Sequence, residues 1–436
     1  MNVSRESRPA AATTNVPGLR QRLTELRGPG VRPRSLDARA LAALAANPGC
    51  RRRALLGGAG VDKGALARAL GSPAAYGQSQ FALARGNSFE ARVKADGGTE
   101  LLRLLCERLA PGTAVPEHDA VARPDLSAAG PEGRAARTAL ALREAAAAGG
   151  WALLDHPLLA MDVAGSPAYV EPDAVVVHPD GTWTVVEIKS FPLIDGAADA
   201  AKVGAAARQA AVYVLALEAV AAHAAAHTGR PVRVRDRILL VCPKDFSNLP
   251  TAAPVDVRKQ LATTRRQLAR LTRVEEIAAA LPAGTTFDLR LADDGRTATR
   301  PAPELAEAVE AVPAAYAPEC LAACELAFHC RQRARQEGAV ETLGRSVRGE
   351  LGGLRTIEEA LAAAAGAPEA DPGDPAVQAL RTAAALRAEA LSGATPPGAS
   401  TVPQALNSVR AGEAPFTGAA DAAAPPAPRD GKGKDA

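Results

Sequence analysis

The chain has 436 residues, 47% of them hydrophobic and only 3% aromatic, with a formal net charge of +3. That length accommodates two or three domains with cores of their own, and the aromatic shortage argues against a protein that reads single strands by stacking bases on many exposed rings. A charge so near zero diagnoses no partner. No stretch reaches the roughly 18 to 20 uninterrupted apolar residues of a membrane span, and the N-terminal residues lack the apolar segment of a secretory signal, so a cytoplasmic protein with no membrane partner is expected.

Residues 1–35 mix Pro, Gly, Thr and Arg without period and read as a mobile, disordered arm. Residues 36–150 form an N-terminal helical region. Their apolar spacing is helical to about residue 109, broken by "NPGC" at 47–50 and by "GSPAAYGQSQ" at 71–80, and an Ala-rich helix follows over about 132–148. Residues 151–256 begin with short β-branched runs separated by turn signals, continue with a long helix over about 198–227, and return to strand character in "VRVRDRILLVCPKD". Strand, helix, strand is the crossover of an α/β fold with a mixed sheet flanked by helices.

Residues 257–335 open with a segment, 257–281, that reads as one two-faced helix. Val257, Leu261, Leu268 and Leu271 share one side, and Lys259, Arg266, Arg270 and Arg273 line the other. The basic side is either a solvated face or a track for a phosphate backbone. "CLAACELAFHC" then places Cys320, Cys324 and Cys330 within eleven residues. Thiols packed so closely in a reducing compartment point to a metal, with buried structural cysteines as the plain alternative. Residues 336–395 read as short helices joined by Gly turns, with Thr356 and Glu359 spaced as a capping box and a further helix near 376–391. Residues 396–436 read as a disordered tail.

The centre of the chain carries "VEPDAVVVHPDGTWTVVEIKSF" at 170–191. The turn "HPDGT" is centred on Asp180, so a simple antiparallel hairpin sets Asp173 opposite Glu187, with Cβ atoms about 4.5 to 5.5 Å apart. Lys189 shares their face because side chains alternate along a strand. Two carboxylates so close repel each other unless they share a cation, and their hard oxygens suit Mg²⁺ or Mn²⁺. With a lysine to steady developing charge or orient a nucleophile, the trio suits hydrolysis of a phosphodiester. A salt bridge on the wet face of a hairpin is the plain alternative.

Pro172-Asp173 followed by Glu187-Ile188-Lys189 resembles the PD-(D/E)xK nuclease motif, and Gln209 with Tyr213 on the next helix resembles the QxxxY motif of its RecB-like branch. Their four-residue spacing puts Gln209 and Tyr213 on one helix face. The resemblance covers about residues 36–335 and implies a restriction-endonuclease-like fold, with a core over 151–256 and a cysteine-rich helical region after it. It implies that Asp173, Glu187 and the Ile188 carbonyl hold the metal, that Lys189 serves the attacking water, and that Gln209 and Tyr213 position the substrate. The family's upstream GxxxH pattern has its nearest match in Gly86 and Glu90. Glu90 would complete the metal shell as an oxygen ligand; read alone, it is a surface glutamate.

"NPGCRRRALL" around Cys50 is similar to the first-cysteine segment of CRISPR-associated RecB-like exonucleases and AddB-type nucleases. In those families one cysteine before the nuclease core and three after it bind a 4Fe-4S cluster. The resemblance implies Cys50, Cys320, Cys324 and Cys330 as its ligands. Three residues separate Cys320 from Cys324 where the family commonly has two, which keeps zinc open. Cys106 and Cys242 have apolar neighbours and read as core residues.

The expected function is a metal-dependent nuclease that hydrolyses DNA phosphodiester bonds, a RecB-like exonuclease in DNA repair or defence. No GxxxxGK-S/T phosphate loop occurs, so a motor would come from a helicase partner in trans. The alternative is a non-catalytic nucleic-acid-binding module built around a structural iron-sulfur or zinc site.

Overall fold

Alternation along the central strands sends side chains to two separate cores. The computed structural model describes residues 18–73, 80–245, 247–292, 294, 296 and 298–393. Its strands are β1 (Val121–Ala122), β2 (Trp151–Asp155), β3 (Leu159–Val163), β4 (Ser166–Val170), β5 (Ala174–Val177), β6 (Thr182–Ile188), β7 (Arg233–Val234), β8 (Arg237–Pro243) and β9 (Pro250–Asp256). The main sheet runs β1-β2-β5-β6-β8-β9, with β7 beside β6, and β3 and β4 form a separate hairpin. β1 and β2 are parallel, as are β6 and β8; β2, β5 and β6 pair antiparallel, as do β8 and β9. The architecture is therefore mixed α/β, with helices on both faces of a mixed sheet.

On one face Val175, Val177, Trp183, Val185, Leu240 and Cys242 pack beneath the long helix Ala200–Thr228 and the N-terminal helices. On the other, Ala174, Val176, Val186, Leu239 and Val241 meet Phe89, Val93, Leu101, Leu105 and Cys106 from the helices Gln80–Val93 and Ala95–Leu109. Both faces are covered, which explains why β5 and β6 are buried at every position and read as continuous apolar runs rather than half-wet strands. Cys106 and Cys242 are core residues, 2% and 0% exposed. The helix Ala200–Thr228 is long and apolar enough by length and composition to cross a membrane; here its apolar side lies against the sheet.

Several elements depart from expectation. Leu19–Arg27, inside the stretch read as a mobile arm, is a helix. Leu26 is fully buried, and Phe287 N donates to the Leu26 carbonyl at 2.7 Å. The arm's remaining residues 1–17 and the tail 396–436 lie outside the described residues. The single basic helix over 257–281 is two helices, Arg258–Leu268 and Val274–Ala279. The break is tertiary: Val274 N donates to the Ala164 carbonyl of the β3–β4 turn at 2.9 Å, so it leaves the helical ladder. Glu275 and Glu276 then begin a new first turn, the position that favours acids. The stripe of Lys259, Arg266, Arg270 and Arg273 is thus divided, with Arg273 capping the second helix. Lys259 also follows directly on β9, whose end pairs with Arg237 at the start of β8, the end of the sheet remote from Glu187. β9 itself escaped the sequence reading because Pro250 and Pro254 interrupt it; both are tolerated because the strand lies at the sheet edge.

The register of the β5–β6 hairpin follows from its turn. Val177 pairs with Trp183 and Ala174 with Val186. His178 N donates to the Thr182 carbonyl at 2.9 Å, Asp180 Oδ1 accepts from Thr182 N at 2.9 Å, and Gly181 sits at φ +79°. A Cβ on Gly181 would strike the Pro231 carbonyl oxygen. Gly181→Ala should therefore lose about 1–3 kcal/mol of stability from backbone strain, read as a lowered urea midpoint. Gly150→Ala, in open space with ordinary backbone, should leave the midpoint within error; equal effects of the two would refute this account of the turn.

Candidate active site

The hairpin delivers its two acids to one spot. Asp173 lies one residue before β5, following the buried Pro172, and its Oδ2 accepts from Ile188 N at 2.6 Å. This places it across from Glu187 near the end of β6, where Glu187 is 0% exposed. Lys189 Nζ is in close ion-pair contact with Glu187 Oε1 and lies 3.9 Å from Asp173 Oδ2. Lys189 is the one side chain that meets Glu187 Oε1, and Oε2 has no hydrogen-bond partner among the described residues. A wet-face salt bridge is thereby excluded, because the group is sealed from water.

The electrostatics follow from that burial. Burial pushes Glu187 up to about 8, the nearby Asp173 charge adds to it, and Lys189 offsets part of the rise. Asp173 is also raised by burial, against the pull of Lys189 and the Ile188 N–H. Burial alone would lower Lys189, but Glu187 and Asp173 more than compensate and hold it above its ordinary value. A carboxylate in a closed site, with a second acid beside it and one lysine as counter-charge, is expensive to keep ionised without a further cation.

Tyr213, 3% exposed, and Gln209 stand over this spot on the helix Ala200–Thr228. Gln209 Nε2 donates to Tyr213 Oη at 2.8 Å. Burial first, and Glu187 next, raise the Tyr213 hydroxyl far above its ordinary pKa, so the phenol remains a proton donor beside the acids.

Glu90 and Lys94 approach from the helices of the opposite face. Glu90 Oε1 accepts from Lys94 Nζ at 2.5 Å and lies 2.9 Å from His156 Nε2. Burial would raise Glu90, but His156 and Lys94 together hold it down at about 2. His156 is raised chiefly by its hydrogen bond to Glu90, and its backbone sits at φ +45°, a strained conformation. Arg134 fixes this turn by donating to the His156 carbonyl at 3.1 Å and to Glu171 Oε1 at 3.0 Å. Sequence reasoning missed Lys94, Asp155, His156 and Arg134. The one available signal was "LLDHP" at 153–157, two ionisable residues closing an apolar strand.

The cysteines gather at a second place. Cys50 precedes the helix Arg51–Gly58, and the neighbouring residues point at the late thiols: Asn47 Nδ2 donates to Cys320 Sγ at 3.5 Å and Arg52 Nη1 to Cys330 Sγ at 3.3 Å. Burial pushes Cys330 up to about 12, with Cys50 and Cys324 close enough to add to the rise; Cys324 is raised by burial and by Cys50 in the same sense. Residues more than 250 apart in sequence are thus brought together. As they stand, no three His, Cys, Asp or Glu side chains among the described residues are arranged to hold a metal ion. The chemistry of both donor sets nevertheless fits one: buried carboxylate oxygens for a hard divalent cation, and four thiols with N–H donors aimed at sulfur for a cluster or zinc.

No protein-family model, curated protein or solved structure matches the chain.

A cation that satisfies Glu187 should stabilise the folded chain. Mn²⁺ at about 100 times its Kd should add about 2.7 kcal/mol, seen as a raised melting temperature. The Asp173→Asn, Glu187→Gln double variant should show no such rise; a rise of equal size would remove these acids as ligands.

Proposed function

We infer that the chain is a metal-dependent nuclease that hydrolyses DNA phosphodiester bonds, a RecB-like exonuclease of repair or defence on a restriction-endonuclease-like fold. The observation that carries this reading is Glu187: a sealed carboxylate that only Lys189 meets, with Oε2 unpartnered among the described residues, set beside Asp173. Asp173, Glu187 and the Ile188 carbonyl would hold Mg²⁺ or Mn²⁺, which supplies Lewis acidity toward the phosphate and lowers the pKa of a bound water. Lys189 orients the attacking water and neutralises charge that builds on the phosphate oxygens. Water oxygen bonds to phosphorus as the bond to the leaving sugar oxygen breaks. Tyr213, held by Gln209, would donate to a phosphate oxygen.

The cysteine-rich helical region would carry a 4Fe-4S cluster on Cys50, Cys320, Cys324 and Cys330. The chain supplies few aromatic rings, so DNA would be gripped through its phosphates. Lys259 and Arg266 on the first basic helix remain exposed for that role, and a helicase would act in trans.

The decisive test is cleavage of end-labelled single- and double-stranded DNA with Mg²⁺ or Mn²⁺ by anaerobically purified protein. Lys189→Ala should lose about 10²- to 10³-fold in rate. No cleavage by folded, metal-loaded wild-type protein would leave a binding module as the reading. Iron and acid-labile sulfide should be found in equal amounts and disappear in Cys330→Ser; zinc alone would overturn the cluster.

A further inference from the structure

Lys94 is surrounded in the way a metal ion is surrounded. Its Nζ lies 2.5 Å from Glu90 Oε1, 2.6 Å from Asp155 Oδ1 and 2.8 Å from the Asp173 carbonyl oxygen. An ammonium carries three protons, and three oxygens meet it. His156 Nε2, 3.0 Å away, is then left to give its proton to Glu90, which fixes the imidazole tautomer. The side chain is well covered, with a relative exposure of 15%.

The position of this ammonium matters. It is bonded to the main-chain oxygen of Asp173, the residue whose side chain faces Lys189 and Glu187. The ammonium is therefore anchored to the main chain of a residue expected to hold the metal, and phosphodiesterases that work with two cations keep the second close to the first. Asp173 and Glu187 meet Lys189, while Glu90 and Asp155 meet Lys94. A divalent cation at the position of Lys94 Nζ would need the same three oxygens, so the ammonium and a second metal compete for one place.

We propose that Lys94 is a built-in cation that takes the place of the second metal, so that the site works with a single divalent ion. Glu90 then serves as the counter-ion of Lys94 rather than as a metal ligand. Asp155 and His156 fix the ammonium at the Asp173 carbonyl. Being covalently fixed, it does not depend on metal concentration. This rests on the nuclease reading of Asp173 and Glu187.

The experiment is calorimetric titration of Mn²⁺ into the full chain without DNA, alongside Lys94→Ala and Lys94→Met, with DNA cleavage measured in parallel. Wild type should bind one Mn²⁺ at this site and Lys94→Ala two, as the emptied position fills. Cleavage by Lys94→Ala should fall about 10²-fold and recover with methylammonium or excess Mn²⁺. Lys94→Met retains the packing of the stem and covers the case in which the alanine variant does not fold. It should bind one Mn²⁺, lose cleavage and gain nothing from methylammonium, because the space is filled. Two Mn²⁺ bound by wild type, full cleavage by Lys94→Met, or no second ion and no rescue in a folded Lys94→Ala would each overturn the role of Lys94 while leaving Asp173 and Glu187 as metal carboxylates. No Mn²⁺ bound by wild type would overturn both.

Discussion

The carboxylate of Glu187, fully buried and met only by Lys189, is the constraint around which the rest is arranged. An ionised carboxylate moved into the interior costs several kcal/mol even after relaxation. A fold chosen for stability alone would place an apolar residue there, as it does at Trp183 and Val185 on the same face of β6. The site tolerates the acid because Lys189, two residues further along, is held against it, while the β5–β6 register brings Asp173 beside both. A slip of one residue would send Glu187 into the opposite core, among Phe89 and Leu101. The tight turn at Asp180 and Gly181, blocked from other conformations by the Pro231 carbonyl, is therefore as much a part of the site as the acids are.

Two helical layers converge on this strand end from opposite faces. The long helix contributes Tyr213 and Gln209, and the helix Gln80–Val93 contributes Glu90, with Lys94 just past its end. Neither layer alone closes the site. The side of Glu90 and Lys94 is closed by the turn after β2, where His156 adopts a left-handed backbone and Arg134 ties it down. Strain of this kind persists only where the surroundings over-determine it, and here each surrounding group is ionisable.

Much of this was legible in the sequence because it was local. The hairpin register came from a symmetric turn, the long helix from its apolar length, and the capping box at Thr356 and Glu359 from spacing; both of its hydrogen bonds are formed, at 3.1 Å each. What could not be read depended on contacts between distant segments. Lys94 looks like any surface lysine until Asp155 and Asp173 arrive from the sheet. The break before Val274 has no Gly or Pro to announce it, since its cause is a carbonyl in the β3–β4 turn. The helix Leu19–Arg27 was hidden by flanking Pro and Gly, although Leu19, Leu23 and Leu26 carry helical spacing.

The seam at the cysteines differs from the carboxylate site in what a metal would change. Protein groups already stitch it: Arg52 N donates to the Pro313 carbonyl at 2.9 Å, Asn47 Nδ2 to the Ala315 carbonyl at 2.6 Å, and Arg52 Nη2 pairs with Glu310 at 3.2 Å. Glu310 in turn holds His329 at 2.7 Å. Buried thiols with raised pKa values keep their protons until a metal displaces them. Loading would thus turn a hydrogen-bonded seam into a cross-link without remaking the fold around it. Its main effect would fall on the unfolded chain, since closing a loop of that length removes entropy that grows only slowly with size, about 5–6 kcal/mol in the chain-entropy account of cross-links. A cluster there would bind the N-terminal lobe to the sheet against unfolding and leave the geometry around Glu187 to the hairpin that sets it.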